Sequence, residues 1–168
     1  SGTFTTTTNV LENAGPSGFT VTSTMNVTGS GDATGNYPYN IGGTGTMVVT
    51  GGTFAFNSFG VVNSLKLTVN SGAHFLETTS KHTSTGDITN NGTITFRNTA
   101  GTIAGILGGG GTYNFNSDIV VNNFRATGVK VIASGKTLTI AGNSFVTGTA
   151  ITGAGNVVIA GNVVNDAL

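Results

Sequence analysis

Apolar and polar residues alternate along most of this chain. Leu65, Leu67 and Val69 alternate with polar neighbours, as do Ile94 and Phe96, Tyr113 and Phe115, Val129 and Val131, and Leu138 and Ile140. Each run is short and is closed by Gly, Asn or Ser, the punctuation of strands separated by tight turns. Helical spacing is nearly absent, because Gly interrupts almost every window of ten and good helix formers rarely recur at i, i+3 and i+4. The pattern predicts an all-β chain.

The strands also repeat. Ile41-Gly-Gly43-Thr-Gly45-Thr-Met47-Val-Val49 returns as Leu107-Gly-Gly109-Gly-Gly111-Thr-Tyr113-Asn-Phe115 and as Ile151-Thr-Gly153-Ala-Gly155-Asn-Val157-Val-Ile159. The starts lie 66 and 44 residues apart, three and two multiples of 22. Val69-Asn-Ser71-Gly72-Ala-His74-Phe75 returns as Ile132-Ala-Ser134-Gly135-Lys-Thr137-Leu138 after 63 residues. A step of about 22 residues, loosened by insertions, predicts a parallel β-helix whose coils each hold two or three short strands. Inward side chains then supply a narrow core, and like positions stack at about 4.8 Å.

Composition fits such a stack. Of 168 residues, 28 are Gly, 31 Thr and 19 Asn, while 7% are charged and the net charge is zero. Corners need glycine, and a charge at a repeating position would sit beside its like in the next coil. Neutrality removes the basic stripe that nucleic-acid binding needs, so no nucleic-acid partner is expected. The longest apolar runs are far too short to span a membrane. Cysteine is absent, which excludes disulfides, thiolate metal sites and thiol nucleophiles.

Leu67-Thr-Val-Asn-Ser-Gly72, Ile88-Thr-Asn-Asn-Gly92-Thr-Ile94-Thr-Phe96 and Ser134-Gly-Lys-Thr-Leu-Thr-Ile140 resemble the degenerate repeats of bacterial secreted β-solenoid proteins, the autotransporter passengers and filamentous-haemagglutinin-like adhesins. The resemblance covers roughly residues 41 to 164. It implies export to the cell surface, a parallel β-helix and a structural or adhesive role. It carries no functional residue across.

Residues 1–40 depart from the pattern and are expected to form an N-terminal strand and cap, with 41–168 as the solenoid body. Residues 3–10 read as one strand and residues 19–27 as another, followed by a turn-rich stretch from Gly29 to Tyr39. The first strand could instead be donated to a neighbouring subunit. At the other end the repeat runs through Val157, Ile159, Val163 and Val164 without a polar cover, and such an edge favours addition of further strands. Phe4, Val10, Val157, Ile159, Val163 and Val164 are therefore the candidate subunit contacts. The expected assembly is a head-to-tail homopolymer, an extracellular filament, pilus-like fibre or surface layer. A fragment of a glycan-binding adhesin is the second expectation. A β-sandwich completed by a donated strand is the alternative fold.

Chemistry is sparse. His74 and His82 flank Glu77 with Asp87 beyond, but zinc would need three or four ligands in one shell. Gly29-Ser-Gly31-Asp32 looks like a calcium-binding glycine-rich repeat, yet it occurs once and reads as a turn. Glycoside hydrolysis needs two positioned carboxylates, and Glu12, Asp32, Glu77, Asp87, Asp118 and Asp166 share no column at the 22-residue step. No Ser has a nucleophile-elbow context. The run Gly108 to Gly111 precedes a strand and lacks a phosphate-loop lysine. Rows such as Thr5 to Thr8, Thr137 with Thr139 and Thr147 with Thr149 suit solvent-facing strands. Asn26-Val-Thr28 and Asn91-Gly-Thr93 match the glycosylation acceptor pattern, and Asn91-Gly92 also reads as a corner. No catalytic site, cofactor or metal is expected.

Overall fold

A computed structural model describes residues 19–21, 24–27, 31–33, 41–56, 64–77, 83–84, 86–97, 101–146, 148 and 150–165. Among these residues there is no helix, and every strand pairing is parallel. The chain is a β-solenoid, as the alternation and the repeats predict.

Strands follow one another in triplets. The first rung holds β1 (Phe19–Val21), β2 (Thr24–Val27) and β3 (Gly31–Ala33), and the second β4 (Ile41–Gly43), β5 (Thr46–Val49) and β6 (Gly52–Phe56). Then come β7 (Lys66–Val69) and β8 (Ala73–Glu77), followed by β9 (Thr83–Ser84), β10 (Ile88–Asn90) and β11 (Thr93–Arg97). Two long strands open the next rungs: β12 (Gly101–Gly109) precedes β13 (Thr112–Asn116), and β14 (Ile119–Ala126) precedes β15 (Lys130–Ile132). Last are β16 (Thr137–Ile140), β17 (Asn143–Val146) and β18 (Ile151–Gly153), then β19 (Asn156–Ile159) and β20 (Asn162–Asn165).

The pairings give each rung three sides. The third side is one seven-stranded sheet, β18-β15-β13-β11-β8-β6-β3. The first and second sides merge where β12 and β14 round a corner without breaking. The N-terminal part of β12 pairs with β9, its C-terminal part with β10, and the register against β14 shifts between Ile103 and Ile106. That shift is a bulge, the usual device for bending a strand at a rim.

Rung length varies. Thr24 lies opposite Thr46, a step of 22, whereas Ile88 opposes Leu107 at 19 and Tyr113 opposes Lys130 at 17. The expected step describes the first rungs, and later ones are shorter. The repeated phrase turns out to be a corner signal rather than a rung signal. Its three copies turn from the first side to the second (β4 to β5), from the second to the third (β12 to β13), and from the third to the first (β18 to β19). Copies displaced by three and a third rungs of about 20 residues mimic three rungs of 22. Two further readings change. Residues 19–27 split into β1 and β2 on different sides, and Gly31 and Asp32 belong to a strand paired with β6, not to a turn.

Inward side chains form continuous columns. On the third side Phe54, Phe75, Ile94 and Tyr113 stack in order, with Phe96 over Phe115 beside them at 5.6 Å between ring centroids. On the second side Met47, Leu67, Ile88, Leu107 and Phe124 align. On the first, Ile103, Val121 and Ile140 do. Aromatic pairs in offset stacks contribute about 0.5–1.5 kcal/mol beyond their area. Corners close by near contact of backbones. A Cβ on Gly111 would run into the carbonyl oxygen of Gly92 in the rung below, so only glycine fits there.

Candidate functional site

The apolar edge singled out from sequence lies on the last described rung. Val157 and Ile159 of β19 sit over Leu138 and Ile140 and so continue two inner columns. Leu138 and Ile140 are fully buried, but Val157 is 42% and Ile159 55% exposed, because no described strand lies over them. Val163 of β20 stands opposite Ser144 and packs partly against the core. Val164, its neighbour, is 51% exposed and by strand alternation faces sideways instead of along the axis. Three of the four C-terminal candidates are thus brought together on one axial surface and the fourth is not. Phe4 and Val10 lie outside the described residues. Alternation hides one further exposed residue of β19, Val158, on the outer wall.

Among the described residues, β18, β19 and β20 pair with strands on one side only. Such an edge offers a row of backbone N–H and C=O groups in the register of a further parallel rung. Burying the part of Val157 and Ile159 that is still exposed would contribute on the order of 1 kcal/mol each.

The polar candidates do other work. Asp87 accepts the N–H of Ile106 through Oδ1 at 2.9 Å, at the bulge where β12 turns its corner. Asp118 accepts the N–H of Thr137 through Oδ1 at 2.8 Å. Each carboxylate reaches 19 residues along the chain to the backbone of the next rung, satisfying a donor that a corner would otherwise leave unpaired. His74 lies on the outer face of the third side, with Nε2 3.0 Å from Thr95 Oγ1. Asn114 donates to the same hydroxyl oxygen at 3.1 Å, so the three residues tie three rungs together. Burial, assisted by the charge of Arg97, lowers the His74 pKa below its ordinary value. Asn91 and Gly92 form the bend between β10 and β11, as expected of a corner. No group of three or more His, Cys, Asp or Glu residues able to hold a metal exists among the described residues. Glu12, His82 and Asp166, the Glu77 and Asp32 side chains, and the Thr5 to Thr8 row lie outside what the structure describes.

The core also holds polar groups whose roles the sequence did not announce. Asn90 points inward at the corner before β11, where its Nδ2 donates to the Thr112 carbonyl at 2.8 Å and its Oδ1 accepts from Gly92 N–H at 3.0 Å. Tyr113 donates its hydroxyl to the Gly108 carbonyl at 2.6 Å, and burial pushes its pKa well up. Lys130 is the least expected. Alternation predicts Val129 and Val131 inside, but Lys130 and Ile132 are buried and Val129 is 41% exposed. The strand takes its phase from its neighbours, since Tyr113 pairs with Lys130 and Phe115 with Ile132. No local signal in the residues of β15 announces that phase.

The fold is a three-sided parallel β-solenoid whose last described strands, β18, β19 and β20, pair with described strands on one side only. No protein-family model, curated protein or solved structure matches the chain. Among the described residues, no helix is long and apolar enough to cross a membrane.

Proposed function

We propose that this chain is a secreted, non-enzymatic structural protein whose copies add head to tail by strand-edge pairing into an extracellular filament, pilus-like fibre or surface layer. The observation behind this reading is the axial surface of the last described rung. There Val157, Ile159 and Val163 continue the inner columns while the far edges of β18, β19 and β20 meet no described strand. A second rung of matching columns is the surface that buries them with the same pairing the chain uses internally. Neutrality helps, because stacked copies with a net charge of zero do not repel one another. The two described carboxylates hold corners together, which supports a structural role over a hydrolytic one.

Electron microscopy and sedimentation velocity of the purified chain over a range of concentrations test the proposal. Rods or fibres that lengthen with concentration are expected, and Val157→Asp combined with Ile159→Asp should abolish them by burying unpaired charge. Compact monomers alone at high concentration would sink the reading. One observation favours an adhesive role instead: the outer face of the third side carries His74, Thr95 and Asn114 joined by hydrogen bonds across three rungs. Monomeric chain that binds immobilised glycans, and loses binding with Asn114→Ala, would support that second reading.

A further inference from the structure

The bend between β10 and β11 holds the one Asn-Gly pair in the sequence, Asn91-Gly92. Such a pair is chemically labile, because glycine has no side chain to hinder its own nitrogen. The backbone nitrogen of Gly92 can attack Cγ of Asn91, so that an N–Cγ bond forms and the side-chain amide leaves as ammonia. The attacking nitrogen gives its proton to solvent, and the leaving nitrogen takes one from it. Water then opens the cyclic imide from either side, to aspartate or to isoaspartate. Isoaspartate threads an extra atom through the backbone of the bend. In a stack of matched rungs this would spoil the pairing of Thr93 with His74 below and Thr112 above.

Asn91 is exposed, so water reaches it. Gly92 has no substitute, since a Cβ there would run into the carbonyl oxygens of Asn70 and Ala73 in the rung below. The corner therefore needs glycine and keeps a labile peptide with it.

The preceding residue is equally unusual. Asn90 is wholly buried in an inner column that runs through Val27, Val49 and Val69 before reaching it. A polar side chain thus interrupts an apolar column at the rung that carries the labile pair. Asn90 Oδ1 accepts the Gly92 N–H at 3.0 Å, and Nδ2 donates to the Thr112 carbonyl at 2.8 Å, which fixes the orientation of the amide. The bend is held on both sides: Asn91 N–H donates to the Val69 carbonyl at 2.7 Å, and the Gly92 carbonyl accepts from Thr112 N–H at 2.8 Å. Imide closure requires the Gly92 nitrogen to lose its proton and swing into line with Cγ of Asn91. Here an acceptor holds that proton, and the neighbouring rungs hold the peptide.

We infer that Asn91 is a latent site of imide formation, and that Asn90 is the positioning residue that keeps it closed in the folded chain. A valine would continue the column at this point but would leave the Gly92 N–H without its acceptor.

Incubation of the full chain at mildly alkaline pH, with peptide mapping of aspartate and isoaspartate at position 91, tests this. The chain unfolded in urea sets the unguarded rate. Folded chain should convert about 5- to 150-fold more slowly, the range that a buried hydrogen bond commands. Asn90→Val should raise the folded rate by at least about fivefold. Phe115→Ala is the control, since it weakens the middle rungs but leaves Asn90 in place, and it should not change the rate while the chain is folded. Equal rates in folded and unfolded chain would mean that the bend is not closed. A folded Asn90→Val chain with an unchanged rate, or a Phe115→Ala chain accelerated as much, would remove Asn90 from the role. Should Asn90→Val fail to fold, hydrogen exchange in the unaltered chain decides the matter. The Gly92 amide should then be protected like the strand amide of Ile94, and exchange at the unfolded rate would overturn the inference.

Discussion

Phe115 and Val157 both point into the coil, yet Phe115 is completely buried and Val157 is 42% exposed. Phe115 has Phe96 below it and Ile132 above, whereas Val157 has Leu138 on one side and no described strand on the other. The corners differ in the same way. In the middle rungs Asp87, Asn90 and Asp118 extend side chains forward to the backbone of the following rung. The corners of the last described rung hold Ala154, Gly155, Ala160 and Gly161, which have no polar side chain to extend. Their backbone bonds run backward, from Gly155 N–H to the Ile132 carbonyl and from Ala160 N–H to the Ile140 carbonyl. In a stack where each layer touches only its neighbours, stability is a sum of layer and interface terms. The middle is held from both sides by packing and corner bonds, and the terminal layer from one described side only, where Thr152 donates its hydroxyl to the Lys130 carbonyl.

Deleting an aromatic ring from the middle should break that comparison most visibly. Phe115→Ala removes a fully buried side chain and is expected to cost about 3–5 kcal/mol, while Val157→Ala should cost under about 1 kcal/mol because much of the side chain is already in solvent. Urea titrations of the two variants check the ratio, and equal losses would mean that the terminal layer is packed as the middle is. A corner substitution comes next. Gly111→Ala drives a methyl group into the backbone of the layer below and should cost about 2–4 kcal/mol; Gly72→Ala, where φ is +79° and nothing lies within 4 Å of a Cβ, should cost about 1–2 kcal/mol from conformation alone.

Lys130→Met should shift the balance the other way, raising middle stability by about 1–3 kcal/mol. The folded pKa of this lysine is below its ordinary 10.5, so the folded chain binds fewer protons than the unfolded one between the two values. Its penalty is therefore full below the folded pKa and disappears as pH rises toward 10.5. Thermal melts of the methionine variant should lack that alkaline gain. His74 gives the smallest effect. With its folded pKa below 6.5, the contribution of neutral His74 is present above 6.5 and is lost as pH falls toward the folded value. His74→Gln should flatten this acid limb slightly, since the ring is partly solvated and its interactions are screened.

Alternation made the strands legible. Leu65, Leu67 and Val69, Ile94 and Phe96, and Leu138 and Ile140 all face the core because a half-buried strand has no other way to satisfy period two. Charge poverty and glycine excess were readable as signs of stacking. The coil step was less so, because strand–glycine–strand phrases serve all three corners, and matching them compares different sides of the rung. The phase of β15 was invisible, since it depends on β13 and β18 and not on the residues of β15 itself. Nor could the tasks of Asp87 and Asp118 be read locally, because each partner is a backbone N–H in the next rung rather than another side chain. Val157, Ile159 and Val163 were legible as apolar positions at the end of the repeat, whereas the sideways aim of Val164 needed the register.

Interchangeable corners have a geometric consequence. If one phrase can turn the chain at any vertex, then inserting or deleting a single strand with its bend leaves a foldable prism but rotates everything downstream by a third of a turn. Outer walls would be re-aimed without a new surface being invented, so a lineage of such chains could vary which wall faces a given neighbour simply by changing length in steps smaller than a full circuit.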